Sequence, residues 1–253
     1  GINGYAKAMG LVVDSMALDT ARLDMSSAQK DMTYRLELHN GSKSQLPFHA
    51  LVDGAITEHG TWIKPRVYDA KGRLGVGLSL MAEMKRDGIN VSMFGDKPIL
   101  GYKEFEVNDS NYIFLGDNRK VKANLTLTDD EGTGLQIYSD DSNAEALQDI
   151  TLSLNKLDIG RILKVIPYAP NITGVLDGDF HVTQTKENLS VASAIDINKM
   201  TYNGCALGNI GTELTYMPKS GGGHYVDGII TKDGEDLGSL QGTYYSVGKG
   251  VLD

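Results

Sequence analysis

Cysteine is almost absent from this chain: Cys205 is the only one in 253 residues. That excludes an internal disulfide framework. A lone thiol of this kind reads as a small residue beside a strand turn. Long apolar runs are missing too. The strongest early cluster, Gly10–Leu18, is broken by Asp14 and falls far short of the ~20 residues that a transmembrane helix needs. Positive charge is scarce. Lys and Arg number 24 against 33 Asp and Glu, a net charge of −9. This argues against a nucleic-acid backbone as partner and disfavours an anionic membrane surface. Aromatic residues make up only 7% of the chain, while 30 residues are glycine, a balance that suits turns better than long helices.

Catalytic and metal-binding patterns are also missing. The histidines His39, His49, His59, His181 and His224 show no H-x-H, H-x-x-x-H or H-E-x-x-H spacing, so no local metal motif is present. There is no G-x-S-x-G elbow, no P-loop and no G-x-G-x-x-G. Acidic clusters such as Asp129-Asp130-Glu131 and Asp140-Asp141 read as solvated turns. Asp141-x-Asn143-x-Glu145 imitates the opening of an EF-hand but lacks its glycine. Gly221-Gly222-Gly223-His224-Tyr225-Val226-Asp227 is similar to a calcium β-roll repeat but occurs once, and that motif works by repetition. Sequons at Asn40, Asn108, Asn124, Asn171 and Asn188 look compositional, and Trp62 reads as packing. The expectation is a protein that is not an enzyme, with no catalytic residue, metal or cofactor.

What the chain does contain is alternation. Leu176, Gly178, Phe180 and Val182 share one parity. Leu189, Val191, Ser193, Ile195 and Ile197 share the next, followed by Ile210, Leu214 and Tyr216. Strict alternation puts successive side chains on opposite faces of a strand, one face apolar and the other wet. Similar rows run through Met32–Leu38, Phe48–Ile56 and Phe105–Ile137. Leu74, Val76, Leu78, Leu80, Ala82 and Met84 form the longest single-parity row, which predicts one strand of roughly 30 Å. Asn40-Gly41, Asp53-Gly54 and Asp87-Gly88 read as tight turns. Pro65, Pro98 and Pro218 read as strand punctuation or edges.

One segment breaks the period. Ile159, Ile162, Leu163 and Ile166 fall at helical spacing between Asp158, a possible cap, and Pro167, so a short helix over 158–166 is expected to plug one end of a sheet. Helical turns are further possible at Ser15–Ser27 and Asn143–Gln148. The predicted fold is all-β and mainly antiparallel, a long curled sheet or open, groove-like barrel with one or two short helices. Two units are expected, 1–100 and 101–253. The chain opens Gly-Ile-Asn-Gly-Tyr without a signal peptide and stops at Gly250-Val251-Leu252-Asp253, so it reads as a piece of something longer.

The block from Leu152 to Leu163 leads through Ile166-Pro167 into Gly174-Val175-Leu176-Asp177-Gly178. A strand, a short helix, a proline and then G-x-L-x-G resembles the TamB branch of the AsmA-like envelope proteins. Met200-Thr201-Tyr202-Asn203-Gly204 followed by Leu207-Gly208-Asn209-Ile210-Gly211 is similar to a recurring turn of that family. Asn111–Gly116 is a further match read as a turn. The similarity is clearest over 100–245. It implies a periplasmic protein anchored in the inner membrane by a helix outside this sequence. It also implies a long hydrophobic β-trough carrying phospholipid acyl chains toward the outer membrane, with a role in outer-membrane protein assembly. A contact with an outer-membrane β-barrel would lie in regions not recognisable here.

On that reading Phe180, Val182, Val191, Ile195, Ile197, Leu214 and Tyr216 are the candidates for lining an acyl-chain groove. Each buried methylene contributes ~0.8 kcal/mol, so roughly ten give ~8 kcal/mol before ordering costs. Three rivals remain. The first is a structural or adhesive envelope protein whose apolar face is a closed core with no lipid ligand. A β-solenoid would need a constant repeat period, which is absent. A polysaccharide lyase would need clustered Asp, Arg or Lys, and Arg35, Glu37 and His39 read instead as a solvated strand face.

Overall fold

The computed structural model describes residues 1, 3–13, 16–44, 46–117, 119–142, 146–219, 221–245 and 251–252. The chain is all-β and antiparallel, with one five-residue helix among the described residues. It divides into two compact units, residues 1–115 with 161–170, and 116–160 with 171–253. The division therefore lies fifteen residues beyond the 100/101 boundary read from the sequence, and the segment after the helix joins the first unit.

The first unit is a meander of β1 (Asn3–Val13), β2 (Met16–Ala28), β3 (Asp31–Asn40), β4 (Phe48–Thr57) and β5 (Gly60–Tyr68). It continues through β6 (Leu74–Gly77), β7 (Leu80–Lys85) and β8 (Gly88–Met93). Short strands β9 (Ile99–Leu100), β10 (Lys103–Glu104), β11 (Glu106–Val107) and β12 (Tyr112–Gly116) follow. Register places Leu23, Leu36, Val52 and Pro65 side by side on one face, and Asp24, Arg35, Asp53 and Lys64 on the other. The two faces differ in polarity as alternation requires.

Several sequence readings are corrected here. The row Leu74–Met84 is two strands, because β5 pairs with β6 at Arg66↔Gly77 and with β7 at Ile63↔Leu80, leaving Leu78 and Ser79 between them. Pro65 faces that break from inside β5 and has no N–H to give to the ladder, although the Leu78 N–H still donates to the Pro65 carbonyl at 3.1 Å. Asp53-Gly54 is not a turn but the middle of β4. There Asp53 accepts from Arg35 Nε at 2.6 Å and from Arg66, and the Tyr34 ring covers Gly54. Ser15–Ser27 is not helical: from Met16 onward it is β2. Ser15 itself, and Asn143 to Glu145 of the other proposed turn, lie outside the described residues. Asn111–Gly116 is mostly strand, with Asn111 Oδ1 accepting from the Met93 N–H at 2.6 Å. Asn40 is 3% exposed. Its side chain accepts from the Asp19 N–H at 2.8 Å and donates to the Ala17 and Leu46 carbonyls, so this sequon holds the chain together.

The helix α1 (Ile159–Leu163) is shorter than the 158–166 expected, and none of its residues is buried. Ile166, expected in its apolar stripe, is 45% exposed. Val165 is the anchor instead, at 5% exposure. It sits where a Cβ on Gly75 would fall, 2.4 Å from Val165 Cγ1. Tyr168 adds a hydrogen bond from its hydroxyl to the Ala17 carbonyl. The segment thus packs on the first unit through Val165 and Tyr168.

Two turns share one construction. Asp69 Oδ1 accepts from the N–H groups of Lys71 and Arg73, both at 2.9 Å, and Gly72 turns at φ 74°. Asp129 Oδ1 does the same for Glu131 and Thr133, with Gly132 at φ 78°. The acidic side chain organises its own turn in each case. Desolvation would raise the Asp69 carboxyl. Hydrogen bonds from the Arg73 backbone and guanidinium, the Lys71 N–H and the Tyr102 hydroxyl outweigh it and lower the pKa to about 2. Asp69 therefore stabilises the fold fully above the unfolded carboxyl pKa of ~3.9, and that contribution is lost as pH falls toward 2. Asp69→Asn is expected to flatten the stability-versus-pH curve between about pH 4 and pH 2, measured by urea unfolding across that range.

Candidate functional site: an apolar face across eight strands

The second unit is an antiparallel meander. Its strands are β13 (Val121–Thr128), β14 (Gly134–Ser139), β15 (Gln148–Asp158), β16 (Ile172–Gln184), β17 (Leu189–Tyr202), β18 (Cys205–Lys219), β19 (Gly223–Lys232) and β20 (Glu235–Tyr245). The β15–β16 connection passes through residues 161–170. Two-residue turns join β17 to β18 and β19 to β20. Asn203-Gly204 (φ 48°, 81°) links Tyr202 to Cys205, and Asp233-Gly234 (φ 52°, 87°) links Lys232 to Glu235. Positive φ at both central positions matches the right-handed twist of the flanking strands. Cys205 lies beside the first of these turns, as its position suggested, and is exposed there.

The register turns sequence alternation into a surface. One row across the sheet runs Leu125, Ile137, Leu152, Phe180, Ser193, Leu214, Gly228 and Leu240. The next runs Leu127, Leu135, Leu154, Gly178, Ile195, Thr212, Ile230 and Gly238, and a third takes in Ile150, Val182, Val191, Tyr216 and Val226. At ~4.8 Å between strands the face is roughly 34 Å wide. All seven candidates, Phe180, Val182, Val191, Ile195, Ile197, Leu214 and Tyr216, stand on it. Bulky and small residues sit next to each other in a row, Phe180 beside Ser193 and Leu214 beside Gly228.

The opposite face is polar. His181 Nε2 meets Asp149 Oδ1 at 2.6 Å, Ser153 donates to Asp179 at 2.5 Å, and Gln241 donates to the Tyr225 hydroxyl at 2.7 Å. His181 lies on this side because it alternates with Phe180 and Val182. The two faces therefore have opposite chemistry along the whole meander.

Exposure of the apolar face rises across the sheet. Ala123, Leu125, Leu127 and Leu157 are at most 7% exposed. The middle strands are half-buried. Phe180 reaches 37%, Leu214 38%, Leu240 44% and Tyr244 52%. A single polar ring enters this face at its far side: His224 stacks on Tyr216 with centroids 5.0 Å apart, and its Nδ1 is buried without a partner.

Bulges shape one end of these strands. β15 is bulged between Leu154 and Leu157, and β17 between Ile197 and Met200. Lys156 (φ 50°) and Lys199 (φ 52°) take the left-handed conformation there. Each bulged N–H is met by a side chain of the next strand: Lys156 N–H donates to Asp177 at 2.8 Å, and Lys199 N–H to Asn209 at 2.9 Å. Bulges strengthen local twist and re-aim side chains. Between the two bulges runs Gly174-Val175-Leu176-Asp177-Gly178. Gly178 has φ 149°, and a Cβ there would lie 2.3 Å from the Ala194 carbonyl oxygen and 2.7 Å from Ile195 Cα.

Sequence reasoning left out the lining residues of the first three strands, Leu125, Leu127, Leu135, Ile137, Ile150, Leu152 and Leu154, and those of the last two, Val226, Ile230 and Leu240. The former were visible as parity rows. In the latter, Gly228, Gly238 and Gly242 interrupt the apolar alternation. Among the described residues, no helix is long and apolar enough to cross a membrane, and no group of three or more His, Cys, Asp or Glu side chains could hold a metal. Comparison with protein-family models, curated proteins and solved structures returned no match.

Two stability measurements check this geometry. Leu127→Ala, at 2% exposure, is expected to cost about 2–5 kcal/mol, and Leu240→Ala under about 1 kcal/mol. Gly178→Ala is expected to cost about 2–4 kcal/mol through strain and backbone overlap. Urea unfolding of the three variants provides the comparison.

Proposed function

We propose that the apolar face of the second unit holds phospholipid acyl chains in extended form. In this reading the chain is a periplasmic segment of a TamB/AsmA-like envelope protein. Its work is phospholipid transport between the inner and outer membranes, outer-membrane protein assembly, or both. The anchor in the inner membrane and the contact with an outer-membrane barrel belong to segments outside this sequence. No catalytic residue, metal or cofactor is assigned.

The observation that carries the reading is a single register that keeps the apolar parity of eight strands on one face, with Ser193, Thr212 and several glycines among its aliphatic side chains, combined with half-exposure of its central side chains. An aliphatic lining of this kind grips methylenes through their area and not through directed bonds. Binding energy is then spread evenly along the face, which lets a chain slide while its charged head stays in water. The resemblance over Leu152–Gly178 and Met200–Gly211 supports the family placement.

A second reading is favoured by the buried end of the face. Leu125, Leu127 and Leu157 are packed as core, as they would be in a structural or adhesive envelope protein with no lipid ligand. Ile195, in the central row, separates the two. A photo-crosslinking amino acid at Ile195 is expected to give adducts with labelled phospholipid. Ile195→Asp is expected to abolish lipid co-purification while its melting temperature stays within about 4 °C of the parent, a shift worth ~1 kcal/mol. In a sealed core the same carboxylate would cost several kcal/mol. Absence of adducts together with collapse of thermal stability would decide for the closed-core protein.

A further inference from the structure

The first unit contains a feature that the apolar-face reading does not use. Opposite Pro65, Leu78 and Ser79 separate β6 from β7, with the Leu78 N–H still donating to the Pro65 carbonyl at 3.1 Å. Beside these residues lies a 220 Å³ cavity, smaller than the ~300–1,000 Å³ of pockets for drug-sized ligands. Lys64, Arg66, Lys97, Ser79 and Asp96 supply its polar lining, with Leu74, Leu78 and Ile99 as apolar wall.

Three cationic residues thus line one cavity in a chain whose net charge is −9. Arg66 is held by Asp53 and Lys97 by Glu106, and neither carboxylate lines the cavity. Arg66 Nε is buried and has no hydrogen-bond partner, an unusual loss for a charged donor. Asp96 is the one acid on the cavity. Its Oδ2 accepts from Lys64 Nζ at 3.1 Å and from the Ser79 hydroxyl at 3.4 Å, yet its side chain is 79% exposed. A carboxylate oxygen held between an ammonium and a hydroxyl is the local picture of a bound oxyanion, supplied by a side chain free to swing away.

We propose that this cavity is a phosphate-binding site in which Lys64, Arg66, Lys97 and Ser79 hold the oxyanion and Asp96 covers it when it is empty. A guanidinium presents a planar fork of donors and an ammonium a point charge, a combination suited to tetrahedral phosphate. The donor the site leaves unused, Arg66 Nε, gains a partner once the guanidinium turns toward the anion. Two sources share this chemistry, a soluble phosphate and the phosphodiester of a lipid headgroup. The site stands apart from the acyl-chain reading and does not rest on it.

Calorimetric titration of the full chain with inorganic phosphate and, separately, with a short-chain phosphatidylglycerol below its micelle concentration tests the site. Saturable binding of either probe is expected, weakening as salt rises, and the probe whose affinity depends on Lys97 identifies the source. Lys97→Gln is expected to weaken binding about tenfold or more, the share of one charge-assisted hydrogen bond. Asp96→Asn is expected to tighten it, because the competing carboxylate is gone. Lys97 is an exposed side chain, so its variant keeps the fold, which circular dichroism verifies. Ile195→Asp should leave phosphate affinity unchanged, so the two readings can fail independently. No saturable binding of either probe, or equal affinity in the parent and Lys97→Gln, overturns the site.

Discussion

Lateral register is the constraint on which the rest of this structure depends. A strand's side chains alternate with period two, so a slip of one residue would move every apolar side chain to the other face. Across β13 to β20 the pairing keeps one parity aligned through seven successive interfaces. The apolar face, its polar reverse and the rows of bulky and small residues all follow from that alignment. Between β6 and β7, opposite Pro65, Leu78 and Ser79 line a cavity together with charged side chains.

Register over strands this long needs fixed points. The Asn203-Gly204 and Asp233-Gly234 turns pin one end, because a two-residue loop admits a single pairing. The bulges at Lys156 and Lys199 absorb extra residues at a defined place, and Asp177 and Asn209 satisfy the N–H groups displaced there. Gly178 lets β16 approach β17 where a side chain would collide with backbone. Each device is local, and together they hold a wide sheet to one arrangement.

The same sheet chemistry supports two kinds of surface. On the second unit, alternation yields a largely aliphatic face whose exposure grows from β13 to β20. On the first unit, the reverse face carries paired charges, Arg35 and Arg66 about Asp53 and Lys64 with Asp96. Charge paired in register costs little to keep at the surface, and it leaves donors available beside the cavity at the β6–β7 break.

Alternation alone was enough to read the all-β class and to place Phe180, Val182, Val191, Ile195, Ile197, Leu214 and Tyr216 on one face, because strand parity is a property of sequence position. It could not see that Leu154 and Leu157 share a face, since a bulge changes the count between them. Nor could it tell Asp53-Gly54 in a strand from Asp87-Gly88 at a turn: the first is held in β4 by Arg35, Arg66 and the Tyr34 ring, partners far away in sequence. Helical spacing at Ile159–Ile166 gave way for the same reason, as Val165 found its place against Gly75. Parity and turn chemistry are encoded locally. Which acid meets which cation, where β6 and β7 part opposite Pro65, and how deeply each row is buried depend on residues brought together only by the tertiary fold.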